Sequence, residues 1–262
     1  LFHLSPQKSH KITGSILYEG KQNYILSFEE LKQKYSVENI IVFFPKSIIT
    51  YKNKMRIWFK GKKDNKSIND ISIKHNNLCS ETVNKLLQCG FNPVIKLHPS
   101  IFNSSKEKYE EELFYWKSLG AKMMEPDDSY SFYKNMELGI SINSHSVMDV
   151  NYFRKPFLFI KDGQCLPSLD APSWKFHKYT SLPLGPNNEW KKKLTNPENK
   201  FFPSWVGYFS DISSLNTEKI SSYIKNPIDK IYYDRFIKEF WLNDDGLSAD
   251  RIVKEFSNLI KK

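Results

Sequence analysis

The stretch Leu138-Gly139-Ile140-Ser141-Ile142-Asn143-Ser144-His145-Ser146 passes from an apolar run into a polar tip. A second junction of this kind, Pro93-Val94-Ile95-Lys96-Leu97-His98-Pro99, lies earlier in the chain, at a distance that fits one βαβ unit. Polar residues at the carboxyl ends of consecutive strands mark the ligand crevice of an open α/β sheet. The two junctions therefore predict such a sheet, with a binding site at its polar tips.

The rest of the chain alternates short apolar runs with stretches of helical periodicity, an order typical of parallel βαβ units. Ser27-Phe28-Glu29-Glu30 has the form of a capping box, and residues 39–44 have the pattern of a buried strand. Ser80 is expected to cap a helix that Gly90 ends. We predict a Rossmann-like, mostly parallel sheet flanked by helices, with a helical C-terminal tail. Further strands are predicted over 121–124, 157–160 and 205–209. Further helices are predicted over 106–119, after Ser129 as the capping residue, through Asp149, and over 217–225, 227–241 and 247–260.

The composition favours anionic partners. The chain has 262 residues, with 39 basic and 29 acidic side chains and a formal charge of +10. Neither zinc-finger spacing nor an aromatic-rich RNA-binding pattern is present, so specific nucleic-acid binding is not predicted. Three cysteines in no metal-ligand pattern fit reduced thiols, and we expect a cytoplasmic protein. The basic stretches 60–66 and 191–193 leave peripheral attachment to the inner face of the cell membrane open.

The later polar tip has the donors that a phosphate needs. Ser144 lies where a strand passes into a helix, whose first turn offers unpaired N–H groups and a partial positive charge. The Asn143 amide and the hydroxyls of Ser144 and Ser146 add neutral donors, and His145 lies between them. A plain helix-capping role for Asn143 or Ser144 explains the same residues. Asp149 falls inside the helix, where it either binds a ligand hydroxyl or complements the helix start.

Two further tips are candidates for the same crevice. Pro99 stops the strand before it and fixes the backbone around His98, whose imidazole can donate to a phosphate or a base. Lys96 shares that face of the strand and either balances donor charge or is solvated. Pro45-Lys46-Ser47 ends the first strand and is placed in the crevice as well, although every sheet needs such turns.

Other patterns are less specific. Glu125, Asp127 and Asp128 form an acidic cluster that suits acid/base chemistry or simply a helix start. The absence of P-loop, dinucleotide-binding and nucleophile-elbow motifs argues against those classes of enzyme. The stretch 161–203 is rich in proline and aromatic residues, with little periodicity, which is typical of a functional loop or lid.

Five segments, taken in order, carry a resemblance to a known family. They are Ile12-Thr13-Gly14-Ser15, Phe28 to Pro45, Lys96-Leu97-His98-Pro99, Asn143 to Pro156, and Asp244-Asp245-Gly246-Leu247-Ser248-Ala249-Asp250-Arg251-Ile252. At these residues the chain resembles the carboxyl-terminal, donor-binding half of GT-B-type transferases that build cell-surface polymers. It looks most like CDP-glycerol glycerophosphotransferases of teichoic-acid and capsule synthesis, and related capsule sialyl- and Kdo-transferases are similar.

The resemblance has departures at three places. Ile16 stands where the family usually has proline after its Val-Thr-Gly-Ser segment. The family's serine pair is Ser144-His145 here, with Ser146 following, and Ile142 takes the place of an aspartate two residues earlier. These differences leave open whether the donor carries glycerol phosphate, another polyol or a sugar.

The resemblance implies a transferase, or its donor-binding domain. It would move a glycosyl or polyol-phosphate group from a CMP- or CDP-linked donor to a cell-surface polysaccharide, lipid-linked or teichoic-acid-like acceptor. Residues 1–15 would enter from an amino-terminal domain that supplies acceptor contacts and the catalytic base, and residues 16–262 would form the donor domain with its loop 161–203. Neither a cofactor nor a metal is expected, and no catalytic residue is assigned. The donor-binding candidates are Lys46, Ser47, Lys96, His98, Asn143, Ser144, His145, Ser146 and Asp149.

Two other functions remain open from the residues alone. One is a non-catalytic GT-B-like module that binds nucleotide or polyanion. The other is an enzyme of the UDP-sugar 2-epimerase type, which shares the architecture.

Overall fold

The centre of the molecule is a parallel sheet. The computed structural model describes residues 25–49, 65–98, 101–102, 104–142, 144, 146–160 and 208–226, with 230, 233–234, 250, 253–254 and 257. Its strands are β1 (Ile41–Phe43), β2 (Val94–Ile95), β3 (Lys122–Met123), β4 (Leu138–Ser141), β5 (Phe157–Ile160) and β6 (Tyr208–Ser210). They pair in the order β3-β2-β1-β4-β5-β6, and every pair is parallel. The predicted α/β, Rossmann-like fold is confirmed.

Helices cover both faces of this sheet, as parallel strands require. They are α1 (Phe28–Tyr35), α2 (Asn65–Gln88), α3 (Lys106–Ser118), α4 (Ser129–Asn135), α5 (Ser146–Tyr152) and α6 (Thr217–Lys225). Side chains of α2, α3 and α6 pack with Ile41 and Phe43 on one face, here called the α2 face. Those of α1, α4 and α5 pack with Val42 and Phe44 on the other, the α4 face. Successive residues of β1 thus point to opposite layers, as the strand period requires.

Local signals placed several helix ends correctly. The Ser27 hydroxyl accepts the Glu30 N–H at 3.3 Å, and the Glu30 carboxylate accepts the Ser27 N–H at 2.7 Å, so the capping box is confirmed. Gly90 and Gly120 follow α2 and α3 with φ of 83° and 84°, a conformation that suits glycine. The strand predicted over 157–160 and the helix over 217–225 have the predicted bounds.

Two predicted helix starts were wrong. The helix expected to begin at Ser80 begins at Asn65, and the Ser80 hydroxyl donates to the Asn76 carbonyl at 3.0 Å inside it. Ser129 does not cap α4 but is its first residue, and its hydroxyl donates back to the Pro126 carbonyl at 2.7 Å. Both errors arose because a serine hydroxyl can bond to the backbone from inside a helix as well as from the position before it.

Part of the prediction lies outside the described residues. This holds for the loop 161–203, the entry segment 1–15, most of the closing segment 244–252, and residues 205–207 of the last strand. In the two predicted tail helices, 227–241 and 247–260, the positions that are described are helical. Among the described helices, none has both the length and the apolar content that crossing a bilayer needs.

Gly139 leaves room for the Phe44 and Phe157 rings to pack against β4. A Cβ atom at this position would lie 2.8 Å from the Phe157 ring and 3.2 Å from the Phe44 ring. Those two rings stack on each other at a centroid distance of 5.9 Å, so neither has room to withdraw. The absence of a side chain at Gly139 therefore allows these two rings to pack directly on the backbone of β4.

Gly139→Ala is expected to lower the free energy of unfolding by about 1–3 kcal/mol, the usual cost of overpacking a core. Gly90→Asn is the control, because nothing lies within 4 Å of a Cβ there and asparagine tolerates a positive φ. Denaturant titration of both variants measures the difference. Equal stability losses would contradict the packing role given to Gly139.

Candidate functional site

The strand order creates a crevice between β1 and β4. The chain leaves β1 toward α2 on one face of the sheet and leaves β4 toward α5 on the other. Diverging connections of this kind leave an opening above the carboxyl ends of the two strands, where open α/β sheets bind ligands. Residues 45–47 and 96–98 follow β1 and β2 at this edge, and Ser144 and Ser146 follow β4. The three predicted tips thus meet at one edge of the sheet.

Lys96 supplies a cation from the β2 tip. Its backbone N–H donates to the Phe43 carbonyl at 3.0 Å, which extends the β2 pairing by one residue. The half-buried side chain lies on the α4 face, with its ammonium 6.0 Å from the centroid of the Tyr133 ring. Burial lowers the pKa of Lys96, and the carboxylate of Asp149 opposes that shift. Within the described part of the chain this ammonium has no hydrogen bond and no ion pair.

Tyr133 and Asp149 form the wall beside that lysine. The Tyr133 ring stacks between Phe44 and Phe153, at 5.9 and 6.1 Å, and its hydroxyl donates to the Asp149 carboxylate at 3.1 Å. Burial and the Asp149 charge raise the pKa of Tyr133 well above its usual range, so the hydroxyl keeps its proton. Asp149 is therefore held at the crevice by a permanent donor. No local sequence pattern marks the Tyr133 hydroxyl as functional.

The serines of the β4 tip bond to each other. Ser144 Oγ accepts the backbone N–H of Ser146 at 3.1 Å and donates to the Ser146 hydroxyl at 3.1 Å. Ser144 thus holds the first residue of α5 through a turn bond, while the cap position itself, residue 145, lies outside the described residues. Because α5 has only seven residues, its dipole adds little positive charge to the edge. Asn143 and His145 lie outside the described residues.

The β1 and β2 tips complete the edge. Ser47 is 2% exposed, and its hydroxyl donates to the Glu112 carboxylate on α3 at 2.9 Å. Lys46 is half-buried next to it. His98 is half-buried at the end of the β2 tip, where its carbonyl accepts the Ile101 N–H at 3.0 Å. The structure thus places Ser47 toward the interior and the other two residues at the edge.

The acidic cluster after β3 has structural partners. The Asp128 carboxylate accepts the Tyr35 hydroxyl at 2.5 Å and pairs with Lys34 at 2.8 Å, and Glu125 pairs with the same lysine at 2.6 Å. These contacts tie α1 to the loop after β3. Among the described side chains, no group of three or more histidine, cysteine or acidic residues could hold a metal ion.

Comparison with known proteins gives weak likenesses in backbone trace. The wall teichoic acid polymerase TagF is 13% identical with a TM-score of 0.41, over 89% of this chain and 47% of its own. A TagF variant soaked with CDPG is 12% identical with a TM-score of 0.41, over 89% of this chain and 45% of its own. A putative UDP-N-acetylglucosamine 2-epimerase from Listeria monocytogenes is 10% identical with a TM-score of 0.40, over 92% of this chain and 49% of its own.

The chain spans less than half the length of each of these proteins. No protein-family model and no curated protein matches it. At such identities and TM-scores the likeness carries no argument about function, and the fold is established by the strand order itself.

His75 lies in the layer beneath the β1 tip and is fully buried on α2. Burial, helped by the charge of Lys46, lowers the pKa of His75 to about 3, from an ordinary value of 6.5. Its Nε2 atom lies 3.5 Å from the thiol of Cys79, whose pKa burial raises. The imidazole is therefore neutral in the folded state at any pH near neutrality.

This burial predicts a pH dependence of stability. Below pH 6.5 the unfolded chain binds a proton at His75 that the folded chain does not, so stability falls as the pH falls. Between pH 7 and pH 5 the loss from this group is about 2 kcal/mol, at about 1.4 kcal/mol per pH unit. His75→Gln should lack this part of the dependence in denaturant titrations at the two pH values. Identical losses in both proteins would disprove the assignment.

Proposed function

We propose that the carboxyl edge of β1, β2 and β4 binds the phosphates of a nucleotide-activated donor. The chain would then serve as the donor-binding part of a transferase. The observation that carries the proposal is the Lys96 ammonium, which is half-buried after β2, beside the switch point of the sheet, and makes no hydrogen bond or ion pair with a described residue.

A cation in that position favours an anionic ligand. Burial removes water from the ammonium and destabilises its charged form, as the lowered pKa of Lys96 shows. A phosphate oxygen placed beside it restores the lost solvation with a charge-assisted hydrogen bond, which is stronger than a neutral one. Asp149 does not fill this role, because it is not within ion-pair distance of Lys96 and already accepts the Tyr133 hydroxyl.

The other residues of the edge have complementary roles in this proposal. Lys46 and His98 add donors from the β1 and β2 tips, and Ser144 and Ser146 present hydroxyls from the β4 tip. The Asp149 carboxylate accepts a hydroxyl of the ribose or of the transferred group, because an ionised carboxylate is an acceptor only. Asn143 and His145 keep the donor-binding role predicted from sequence.

The reaction that fits these roles is transfer with the nucleotide as leaving group. An acceptor hydroxyl oxygen forms a bond to the transferred carbon or phosphorus, and the bond to the nucleotide phosphate oxygen breaks. The leaving phosphate gains negative charge, which Lys96 and His98 stabilise because they are already in position. The acceptor proton passes to a base that we do not assign to this chain.

The cytidine base and the polymer acceptor come from the motif resemblance, in particular Lys96-Leu97-His98-Pro99 and the segment 143–156. The geometry supports only the phosphate part. Peripheral attachment to a membrane surface stays a sequence-based proposal, founded on the net charge of +10.

Isothermal titration of the 262-residue chain with CMP, CDP and UDP tests this proposal. Lys96→Ala is expected to weaken CDP binding by about tenfold or more, the scale of a charge-assisted bond, while Lys96→Arg keeps most of the affinity. Lys117→Ala is the control, because it removes one exposed charge from the last turn of α3.

Three outcomes would count against the proposal. If none of the three nucleotides binds, the phosphate site is wrong. If Lys117→Ala weakens binding as much as Lys96→Ala does, only the net charge matters. If UDP binds as tightly as CDP, the phosphate site is supported but the proposed preference for a cytidine donor is wrong.

A further inference from the structure

One buried carboxylate holds the loop that follows β1. Glu112, on α3, is fully buried and accepts four hydrogen bonds. Three come from the loop: the Ser47 hydroxyl at 2.9 Å, the Ile48 N–H at 3.1 Å and the Ile49 N–H at 3.3 Å. The fourth comes from the indole N–H of Trp116 at 3.1 Å.

A charge in this place needs an explanation. Burial raises the pKa of Glu112, while the four donors favour its ionised form. A buried carboxylate is tolerated only when its lone pairs are filled, and the loop fills most of them. A neutral acceptor would be enough for the Trp116 indole N–H alone. The three donors of the loop are the reason that a carboxylate, with its two acceptor oxygens, fits this position.

The other end of the loop is anchored as well. The Phe44 N–H donates to the Ile140 carbonyl at 2.8 Å, and the Phe44 carbonyl accepts the buried Ser141 hydroxyl at 2.8 Å. On the far side, Asn76 of α2 donates to the Ile48 carbonyl at 3.3 Å. Only Pro45 and Lys46 lie between the two anchors, and the proline ring removes one further rotation.

We infer that Glu112 is a positioning residue of the proposed donor site. By binding Ser47 and the next two amides, it fixes the backbone of Lys46 at the carboxyl end of β1. The inference rests on the proposed function and deepens it. It also gives Ser47 the role of an anchor, in place of the direct ligand role predicted from sequence.

Preorganisation gives this arrangement its value. A lysine on a loop pinned at both ends loses less conformational freedom on binding than one on a free loop. The affinity should therefore depend on the anchor even though the anchor does not touch the ligand.

A double-mutant cycle separates the two roles of Ser47. Ser47→Ala and Lys46→Ala are each expected to weaken CDP binding, measured by titration, by about fivefold to tenfold. Because Ser47 acts through Lys46, the double variant should bind no more weakly than Lys46→Ala alone. Additive losses would mean that Ser47 touches the ligand itself, and no loss in Ser47→Ala would overturn the positioning role.

Hydrogen exchange of the ligand-free protein tests the anchor independently of any nucleotide. Glu112→Gln replaces one acceptor oxygen with an amide that faces the loop donors, so the amides of residues 46–49 should exchange about tenfold faster. Leu113→Ala is the control, because it removes half-buried packing from the same helix without a bond to the loop. It should leave those amides unchanged relative to the rest of the sheet.

The two measurements fail in different ways. If the wild-type chain binds no nucleotide, the proposed function fails, while the exchange data still decide whether Glu112 holds the loop. If Glu112→Gln leaves residues 46–49 as protected as Leu113→Ala does, the inference about Glu112 is wrong whatever binds.

Discussion

Parallel pairing between β1 and β4 at the middle of the sheet determines where everything else can lie. Val42 pairs with Gly139 and Phe43 with Ile140, so β1 ends one residue before β4 does. Since the chain leaves them toward opposite faces, a crevice lies above their carboxyl ends in the part of the chain that the structure describes. Gly139 makes the pairing compact, because any larger residue would push against the Phe44 and Phe157 rings. The crevice is thus a consequence of strand order and of one small residue.

The charges around the crevice are distributed unevenly. Buried and half-buried carboxylates have their own donors: Glu112 has four, Asp128 has Lys34 and Tyr35, and Asp149 has Tyr133. The Lys96 ammonium, by contrast, makes neither a hydrogen bond nor an ion pair to any described residue. An edge whose carboxylates have donors, while its Lys96 ammonium is bonded to none of them, will attract anions. This asymmetry favours phosphate more directly than the net charge of the whole chain does.

Sequence reasoning succeeded where the signal is local or depends on connectivity. The Ser27 capping box, the Gly90 helix end and the strand tips all follow from short patterns, and strand order then brings the tips together. Glu112 could not be found in this way. It is one of three consecutive glutamates on a helix with exposed neighbours, and only the packing of the β1 loop distinguishes it. The early start of α2 was missed because residues 65–77 are mostly polar and lack a helical apolar period.

The central claim is that the Lys96 ammonium binds a phosphate of the donor at the β1–β4 crevice. A crystal structure of the chain with CDP tests it most directly. The account predicts a phosphate oxygen about 2.7–3.2 Å from Lys96 Nζ, with the nucleotide lying across the carboxyl ends of β1 and β4. A nucleotide bound at the amino ends of the strands, or one at the crevice whose phosphates leave Lys96 unbonded, would contradict it.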